Sequence, residues 1–310
     1  MLAKFLDRFK HNSKNRQMVG LTISDTVLCL VVPPQEQNND FSSKDLIVKQ
    51  SYLESAGEIA SLLKQWINEL SLEGAKVVVT LDTSDYELFQ MERPDVDDAD
   101  LQSATHWKLQ DYLNYPVAEA ISDIFDVPEA RHGHSQQIYV AVAKKQILKH
   151  QMQIAQEAGL YIKSINITQL AIRNLIAREN INETVGVVFT SDESSQLFIC
   201  KNDTFFLTRN INVGVRQINA CDESSQIQFT DQFSLEIQRT MDYYDSHYDQ
   251  SPVRKLIFLD RSPERSWLSS SVAGMLGVSL YHLEFFDAQQ FESSDLLPIA
   301  WGGLLGELRY

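Results

Sequence analysis

The stretch Val185–Val215, VGVVFTSDESSQLFICKNDTFFLTRNINVGV, decides the predicted fold. β-branched and aromatic residues fill three runs of it, and Asp, Ser and Asn fill the breaks at Ser191–Ser195 and Lys201–Asp203. The first composition is typical of strands and the second of tight polar turns. The stretch is therefore predicted to form a meander of three strands.

A shorter version of this pattern occurs near the start of the chain, in Met18–Val32, MVGLTISDTVLCLVV. It is again apolar, breaks at a Ser-Asp pair, and continues apolar. Two such hairpins in one chain predict two similar halves. Each half would be organised around a hairpin whose first turn lies at the end of a sheet.

The rest of the chain alternates between helix-like and strand-like runs, which predicts α/β layering. The first half contains a strand at Asp45–Ser51, an amphipathic helix at Ser55–Leu70 and a buried strand at Lys76–Leu81. From Phe89 an inserted α/β unit is predicted, with an acidic helix before Pro116, strands at Ala120–Val127 and Gln137–Ala143, a helix at Lys144–Ala158 and a strand at Tyr161–Ile167. After the meander, the pattern predicts Thr230–Tyr248 (helix), Val253–Leu259 (strand), Trp267–Met275 (helix), Ser279–His282 (strand) and Leu296–Leu308 (helix).

Charge excludes one class of partner and sets the N-terminus apart. The 310 residues carry a formal charge of −15, which argues against nucleic-acid binding because phosphate backbones need clustered Lys and Arg. Residues 1–17 differ: five basic side chains against Asp7 alone give +4. This segment has the pattern of a short basic amphipathic helix, and its candidate contacts with an anionic membrane surface are Phe5, Arg8, Phe9 and Lys10. The alternative is an N-terminal extension without that role.

Cysteine usage and hydropathy predict a cytoplasmic protein. Cys29, Cys200 and Cys221 form no CxxC pair, and the first two fall in strand-like runs. The first 15 residues lack the apolar core of a signal peptide, and no apolar run has the length of a membrane helix.

No catalytic or nucleotide-binding motif occurs in the sequence. It contains no P-loop, no G-x-G-x-x-G, no H-E-x-x-H and no G-x-S-x-G. His132 and His134, with His106 elsewhere, are too few for a metal site, and none is predicted. The serine runs are interpreted as turn and cap residues, and Asp242, Asp245 and Asp249 as a solvated helix face beside packed tyrosines.

Several blocks, in order along the chain, resemble the PilM family of actin-like cytoplasmic proteins of type IV pilus assembly. They are Val19–Asp25, Gln110–Leu113 with Pro116, Glu119–Asp123, Ile138–Ala143, Ala158-Gly159, Phe233–Tyr244, Arg254–Leu259 and Leu297–Leu304. Within the family, the chain looks most like the component that serves mannose-sensitive haemagglutinin pili. A relative, the cytoplasmic part of the type II secretion protein GspL, continues into a membrane helix and is therefore a poorer match.

The resemblance implies an actin-like fold, a duplicated ribonuclease H-like α/β fold of two lobes with an inserted 1C-type α/β subdomain. In these terms the chain divides into a basic arm (1–17), subdomain 1A (18–88), the inserted 1C-like subdomain (89–166), a connecting helix (167–182), the second lobe (183–292) and a C-terminal helix returning to the first lobe (293–310).

The phosphate and adenosine turns depart from the actin-like pattern. The two phosphate turns of the family read Asp-Ile-Gly, whereas this chain has Thr22, Ser24 and Asp25 in the first and Ser191, Asp192 and Glu193 in the second. The glycine-rich adenosine turn is replaced by one containing Asp260 and Arg261. Lost glycines remove close main-chain approach to phosphate, and the lost aspartate removes an organiser of magnesium. Glu236 and Arg239 still match positions near the family's nucleotide. We therefore expect no hydrolysis and no bound cofactor.

By resemblance, the partner would be the short cytoplasmic tail of a PilN-type inner-membrane protein, held in a groove between 1A and 1C. The candidate apolar contacts are Trp107, Tyr112, Leu113, Ile121 and Phe125, and the alternative for each is an ordinary core role. An added strand would need an open sheet edge. The pilus assembly ATPase and the platform protein are further candidate partners, and the basic arm would lie at the same membrane face.

Two other functions fit the same fold. One is an actin-like protein whose bound Mg-ATP gates pilus assembly, and the other is a sugar kinase. Both need the glycines and the aspartate that this chain lacks.

Overall fold

The structure is a computed structural model, and it describes residues 17–24, 27–34, 45–53, 56–128, 130, 136–259, 265–283 and 296–308. Several residues singled out in the sequence lie outside these ranges: Phe5, Arg8, Phe9 and Lys10 of the arm, Asp25 of the first phosphate turn, His132 and His134, and Asp260 and Arg261 of the adenosine turn.

The strands, in chain order, are Met18–Ile23 (β1), Val27–Val32 (β2), Ile47–Tyr52 (β3), Lys76–Leu81 (β4), Tyr86–Glu92 (β5), Ala120–Asp126 (β6), Gln137–Lys144 (β7), Tyr161–Ile167 (β8), Val185–Thr190 (β9), Ser195–Lys201 (β10), Thr204–Ile211 (β11), Lys255–Phe258 (β12) and Ser279–Leu280 (β13). The α-helices are Ile59–Glu69 (α1), Asp98–Lys108 (α2), Lys145–Glu157 (α3), Thr168–Arg178 (α4), Val215–Asn219 (α5), Gln226–His247 (α6), Ser266–Leu276 (α7) and Leu297–Leu308 (α8). Short 3₁₀ turns occur at Ala56–Glu58, Leu109–Asp111 and Val117–Glu119.

A five-stranded sheet of order β3-β2-β1-β4-β8 forms the first lobe. β1 runs antiparallel to β2 and parallel to β4, so the predicted N-terminal hairpin is confirmed. Every residue of β2, VLCLVV, is buried. Such a continuous apolar strand fits a sheet that is covered on both faces. Helices α1 and α3 contribute to the core on one face, and α4 and α8 pack on the other.

A separate three-stranded antiparallel sheet of order β5-β7-β6 is inserted after β4. Its strand β5 was not predicted, and it begins before residue 89. The predicted strand Tyr161–Ile167 exists, but it pairs with β4 in the first-lobe sheet rather than with the inserted strands. Helix α3 likewise packs into the first-lobe core through Leu148 and Met152. Sheet pairing is long-range, so local sequence pattern did not reveal which sheet these elements join.

The second lobe is a five-stranded sheet of order β11-β10-β9-β12-β13, and it contains the predicted meander. β9, β10 and β11 are consecutive antiparallel strands, joined at the two predicted polar breaks. The long helix α6 packs on β11 and α7, and its buried face includes Phe233, Ile237 and Tyr244. The two hairpins therefore occupy equivalent places in two similar sheets.

Helix α8 packs very closely against α4, the helix that contacts the second-lobe strands β10 and β11. It contacts α4, β1, β4 and β2, and Trp301 at its centre is fully buried. A Cβ on Gly302 would lie 2.3 Å from the carbonyl oxygen of Ala171 in α4. Only glycine fits this approach, so the two helices are held closer than larger residues would permit.

None of the helices in the described ranges is both long enough and apolar enough to cross a membrane.

Candidate functional site

A polar cleft lies between the two lobes, where both hairpin turns meet. It has a volume of about 490 Å³. Its lining comes from both turns, from the segment after β4 and from α5, and includes Ser24, Asp82, Ser191, Asp192, Glu193 and Arg216. We call it the interlobe cleft. The predicted turn residues that the structure describes therefore come together, with the exception of Thr22.

The first turn, between β1 and β2, is closed by Ser24. The Ser24 amide N–H donates to the Val27 carbonyl oxygen at 2.8 Å, and the Val27 amide donates to Ser24 Oγ at 3.0 Å. These two main-chain donors are thus used within the hairpin itself.

The second turn, between β9 and β10, is closed in the same way by Ser191. Its amide donates to the Ser194 carbonyl oxygen at 2.8 Å, and the Ser194 amide points to Ser191 Oγ at 3.4 Å. The Ser191 hydroxyl also donates to the Ser194 carbonyl at 2.9 Å. A serine side chain that bonds nearby main-chain groups stabilises such a turn locally. The two serines therefore have equivalent roles in the two lobes.

The main-chain amides at the start of α5 donate to carbonyl groups of the second hairpin turn. The amide of Val215 donates to the Ser191 carbonyl at 2.9 Å, and that of Arg216 donates to the Asp192 carbonyl at 3.3 Å. A Cβ on Gly214 would lie 2.2 Å from the Asp192 carbonyl oxygen, so this contact depends on glycine. Phosphate sites are built from free main-chain amides at turns and helix starts. The amides of these residues already have acceptors inside the chain.

The charges in the cleft are unfavourable to a polyphosphate. Asp192 and Glu193 both form ion pairs with Arg216, the first at 3.7 Å. Asp82 adds another carboxylate to the lining, and its Oδ1 accepts the Thr83 amide at 2.7 Å. Carboxylates beside an already paired arginine would repel phosphate oxygens. The residues described here do not fit a nucleoside triphosphate.

The other predicted nucleotide positions within the described ranges lie outside the cleft lining. Thr22 is fully buried on β1, and its hydroxyl has no hydrogen-bond partner among the described residues. Glu236 and Arg239 pair with each other on α6 at 2.7 Å, and neither lines the cleft.

Other groups singled out in the sequence lie outside the lining of the interlobe cleft. Burial raises the pKa of the Cys200 thiol to about 12, so this cysteine is not a thiolate near neutral pH. Asp242, Asp245 and Asp249 are exposed, and Tyr244 and Tyr248 pack beneath them. No group of three potential metal ligands forms within the described ranges. His106 contacts the Ser122 hydroxyl at 3.3 Å, and partial burial lowers its pKa, with Lys145 acting in the same direction.

A second, mostly apolar cavity lies between the first-lobe sheet and the inserted sheet. We call it the edge groove. It has a volume of about 100 Å³ and is lined by Leu81, Tyr86, 121–125 of β6, 141–143 of β7, Leu148, 165–167 of β8, and Leu170. β6 is an edge strand of the inserted sheet and β8 an edge strand of the first sheet. Two sheet edges therefore line one apolar groove.

The structure separates the five predicted groove residues. Ile121 and Phe125 line the edge groove, whereas Trp107, Tyr112 and Leu113 do not. Trp107 is 68% exposed and Tyr112 is 50% exposed. They belong to the α2 side of the inserted sheet, where Leu101 and Leu109 form a cluster with strand residues Met91, Ala120, Ile138, Val140 and Val142. The opposite side of that sheet meets the lobes, and alternation along β6 places Ile121 and Phe125 there.

Sequence reasoning missed most of the groove lining. Tyr86, Ala141, Leu148 and Ile165 come from four elements that are distant in sequence. Tyr86 also donates its hydroxyl hydrogen to Gln169 Oε1 at the first residues of α4, and burial raises its pKa well above the ordinary range. The alternation of small and large residues along β7 was the only local sequence pattern that could have indicated this lining.

Aromatic stacking connects the edge groove to the second lobe. Phe125 stacks on Tyr139 of β7 with ring centres 5.2 Å apart, and Tyr139 lies 5.4 Å from Phe205 of β11. The Tyr139 hydroxyl donates to the Phe206 carbonyl at 3.4 Å. The inserted sheet therefore contacts both lobes.

Comparison with solved structures identifies the fold. The PilM-PilN type IV pilus biogenesis complex matches with a TM-score of 0.69 and 16% identity, over 95% of this chain and 99% of that chain. A Bacteroides thetaiotaomicron protein of actin-like ATPase fold and unknown function matches with a TM-score of 0.53 and 7% identity, over 89% of this chain and 95% of that one. The cytoplasmic domain of Vibrio cholerae EpsL, an inner-membrane component of the type II secretion system, matches with a TM-score of 0.49 and 12% identity, over 91% and 94%.

No protein-family profile matches the sequence, and no curated protein sequence is significantly similar to it. At these identities the structural matches establish the fold. The predicted actin-like α/β fold is confirmed.

Proposed function

We propose that this protein is a non-enzymatic PilM-like scaffold of a type IV pilus assembly platform. Its edge groove binds the cytoplasmic tail of a PilN-like inner-membrane protein. Within the family we propose an MshI-like protein of mannose-sensitive haemagglutinin pili, with an MshJ-like partner. The similar solved structure is itself a complex of PilM with PilN. The sequence blocks described above support the same family.

The observation that carries the proposal is the pair of sheet edges across an apolar cavity. An extended peptide binds such an edge by main-chain hydrogen bonds, and side-chain pockets give the specificity. β6 and β8 supply the edges, and Ile121, Phe125 and Leu170 supply apolar surface between them. A tail that binds as a strand would gain both kinds of contact at one place.

The small volume of the cavity limits the size of the tail side chain that can be buried in it. A volume of about 100 Å³ is smaller than the roughly 150 Å³ cavity that holds benzene in an engineered protein core. We therefore expect one apolar side chain of the tail to serve as the buried anchor. The adjoining residues of the tail would lie along the edges.

The closed turns of the interlobe cleft support a scaffold role rather than an enzymatic one. Ser24, Ser191 and the start of α5 use their amides inside the chain, and Asp192 and Glu193 surround the only arginine in the cleft lining of the described residues. We infer that the protein does not hydrolyse ATP and needs no cofactor.

The second candidate is an actin-like protein whose bound Mg-ATP gates pilus assembly. The size of the interlobe cleft favours it, since about 490 Å³ lies within the usual range of small-molecule sites. A thermal-shift titration with Mg-ATP separates the two candidates. A dose-dependent rise in melting temperature would favour this one, because a ligand that binds the native state stabilises it.

We place the protein in the cytoplasm, at the inner-membrane face. The N-terminal arm would contact anionic lipid through Phe5, Arg8, Phe9 and Lys10, whose pattern suits an interfacial helix. The pilus assembly ATPase and the platform protein are further partners that this location would bring near.

The test is direct binding of the tail. Isothermal titration of the full chain with a synthetic peptide of the PilN-like cytoplasmic tail is expected to give one site per chain. Co-purification of the two proteins is expected from cells that produce both. A folded protein that binds no peptide at high micromolar concentration would rule out the proposal.

A further inference from the structure

We propose that Gln102, Asp123 and Asn166 are removable caps. They hold the free edges of β6 and β8 closed to strand addition until a docking strand displaces them. This inference rests on the proposed function of the edge groove, and it names the side chains that regulate access to it.

The edge of β6 is capped at two neighbouring positions. Asp123 Oδ1 accepts the Ile124 amide at 3.1 Å, and Gln102 Nε2 of α2 donates to the Ser122 carbonyl at 2.8 Å. In an antiparallel strand, alternate residues direct their main-chain groups to the same side. Ser122 and Ile124 therefore lie on the same edge of β6, where the Ser122 carbonyl and the Ile124 amide each have a side-chain partner.

The edge of β8 repeats the arrangement. Asn166 Oδ1 accepts the Ile167 amide at 2.9 Å, so again the side chain of one residue caps the amide of the next. Ile167 itself is buried. Asp123, Ile124, Asn166 and Ile167 all line the edge groove. The same device thus occurs on both sides of one cavity.

Physical chemistry gives a reason for caps at these positions. A main-chain amide without a partner costs free energy when it is shielded from water, and an open strand edge invites pairing with other chains. A cap removes both problems in the free protein. The Asp123 side chain is exposed, so it regains water after displacement, and rotation about its side-chain bonds is enough to release the amide.

The first test measures affinity for a synthetic PilN-like tail peptide by isothermal titration. Asp123→Ala and Asn166→Ala are each expected to bind about three- to tenfold more tightly than wild type, because the peptide no longer displaces a hydrogen bond. Asp123→Asn keeps the accepting oxygen without the charge, and its affinity is expected to stay within about twofold of wild type. Gln102→Met removes the donor at similar size and is expected to bind more tightly. Unchanged or weaker binding by the alanine variants would overturn the proposal.

The second test needs no partner. Amide exchange followed by NMR in the free protein is expected to speed up at Ile124 in Asp123→Ala and at Ile167 in Asn166→Ala, about tenfold in each case. Sedimentation is expected to show self-association of the double variant, with wild type monomeric at the same concentration. Unchanged exchange and a monomeric double variant would refute the caps. If wild type binds no tail while these results hold, the proposed function fails and the capping of the edges stands.

Discussion

The interlobe cleft and the edge groove both contain main-chain amides at the ends or edges of strands, and they differ in what occupies those amides. In the cleft, the partners are main-chain carbonyl groups and the hydroxyls of Ser24 and Ser191, and a close contact of Gly214 with Asp192 holds the second turn against α5. In the groove, the partners are side chains of Asp123 and Asn166 that a bond rotation releases. We infer from the comparison that the amides of the cleft turns are fixed by the fold, whereas the capped edges of the groove can be reopened.

Electrostatics reinforces the difference. The cleft lining contains three carboxylates and Arg216, which is already paired, while the groove is lined mostly by aliphatic and aromatic residues. The cleft is larger, but the amides of Ser24, Ser191, Val215 and Arg216 already have acceptors inside the chain. The smaller groove offers an apolar anchor position beside two strand edges, which suits a peptide better than a nucleotide.

The largest effect is expected from filling the groove. Ala141→Phe places an aromatic ring in the lining of a cavity of about 100 Å³, so the anchor side chain of the tail loses its space. Tail affinity measured by isothermal titration is expected to fall at least thirtyfold, as for a binding hot spot. Ala99→Phe, on the exposed surface of α2, is the matched control and is expected to bind normally. Retained binding by the filled groove would place the tail elsewhere.

A smaller but clear effect is expected from disturbing the closed cleft. Gly214→Ala drives a methyl group against the Asp192 carbonyl and is expected to destabilise the protein by about 1–3 kcal/mol in urea unfolding. Gly274→Ala is the control, since nothing lies within 4 Å of its added Cβ and alanine favours its helix. Equal stability of both variants would mean that the second turn and α5 are not held by this contact.

Removal of the buried Thr22 hydroxyl is expected to change stability in the opposite direction to Gly214→Ala. Thr22→Val removes an unpartnered hydroxyl at nearly constant shape, and it is expected to be neutral or to stabilise by up to about 1 kcal/mol. Thermal unfolding checks this. A marked loss of stability, or a loss of Mg-ATP binding in a protein that has such binding, would return Thr22 to a ligand-binding role.

The smallest effect is expected at Arg216. Its ion pairs with Asp192 and Glu193 are largely exposed, so Arg216→Ala is expected to change stability by less than about 1 kcal/mol. Raising the salt concentration is expected to reduce even that difference. A large loss of stability in urea unfolding that does not depend on salt would contradict this account, because an exposed ion pair cannot produce it.

Local features of the fold were predictable from the sequence, and long-range ones were not. The meander and the N-terminal hairpin are visible because the alternation of apolar runs and polar turns is local. The pairing of β8 with β4 joins residues 85 to 86 positions apart, and no local period reports it. For the same reason β5 was missed, and the inserted unit was assigned a strand and a helix that belong to the first lobe.

In the candidate sites, too, the sequence indicated local features but not the contacts between distant residues. The missing glycines drew attention to both turns, but the closing roles of Ser24 and Ser191 and the contact of Gly214 with Asp192 are evident only from the structure. In the groove, Ile121 and Phe125 were named as candidate contacts because the family resemblance points to the inserted subdomain, and the structure places both on β6. Trp107 and Tyr112 were grouped with them although they lie on the α2 side of the sheet, because nearness in sequence does not specify the face.

Hydrogen–deuterium exchange of the full chain, alone, with the PilN-like tail peptide and with Mg-ATP, tests the central claim most directly. The tail is expected to slow exchange in β6 and β8 and to leave 22–27 and 190–194 unchanged, while Mg-ATP is expected to alter neither region. Protection of the two turns by Mg-ATP, or tail binding that leaves β6 and β8 unprotected, would contradict the assignment of binding to the edge groove rather than to the interlobe cleft.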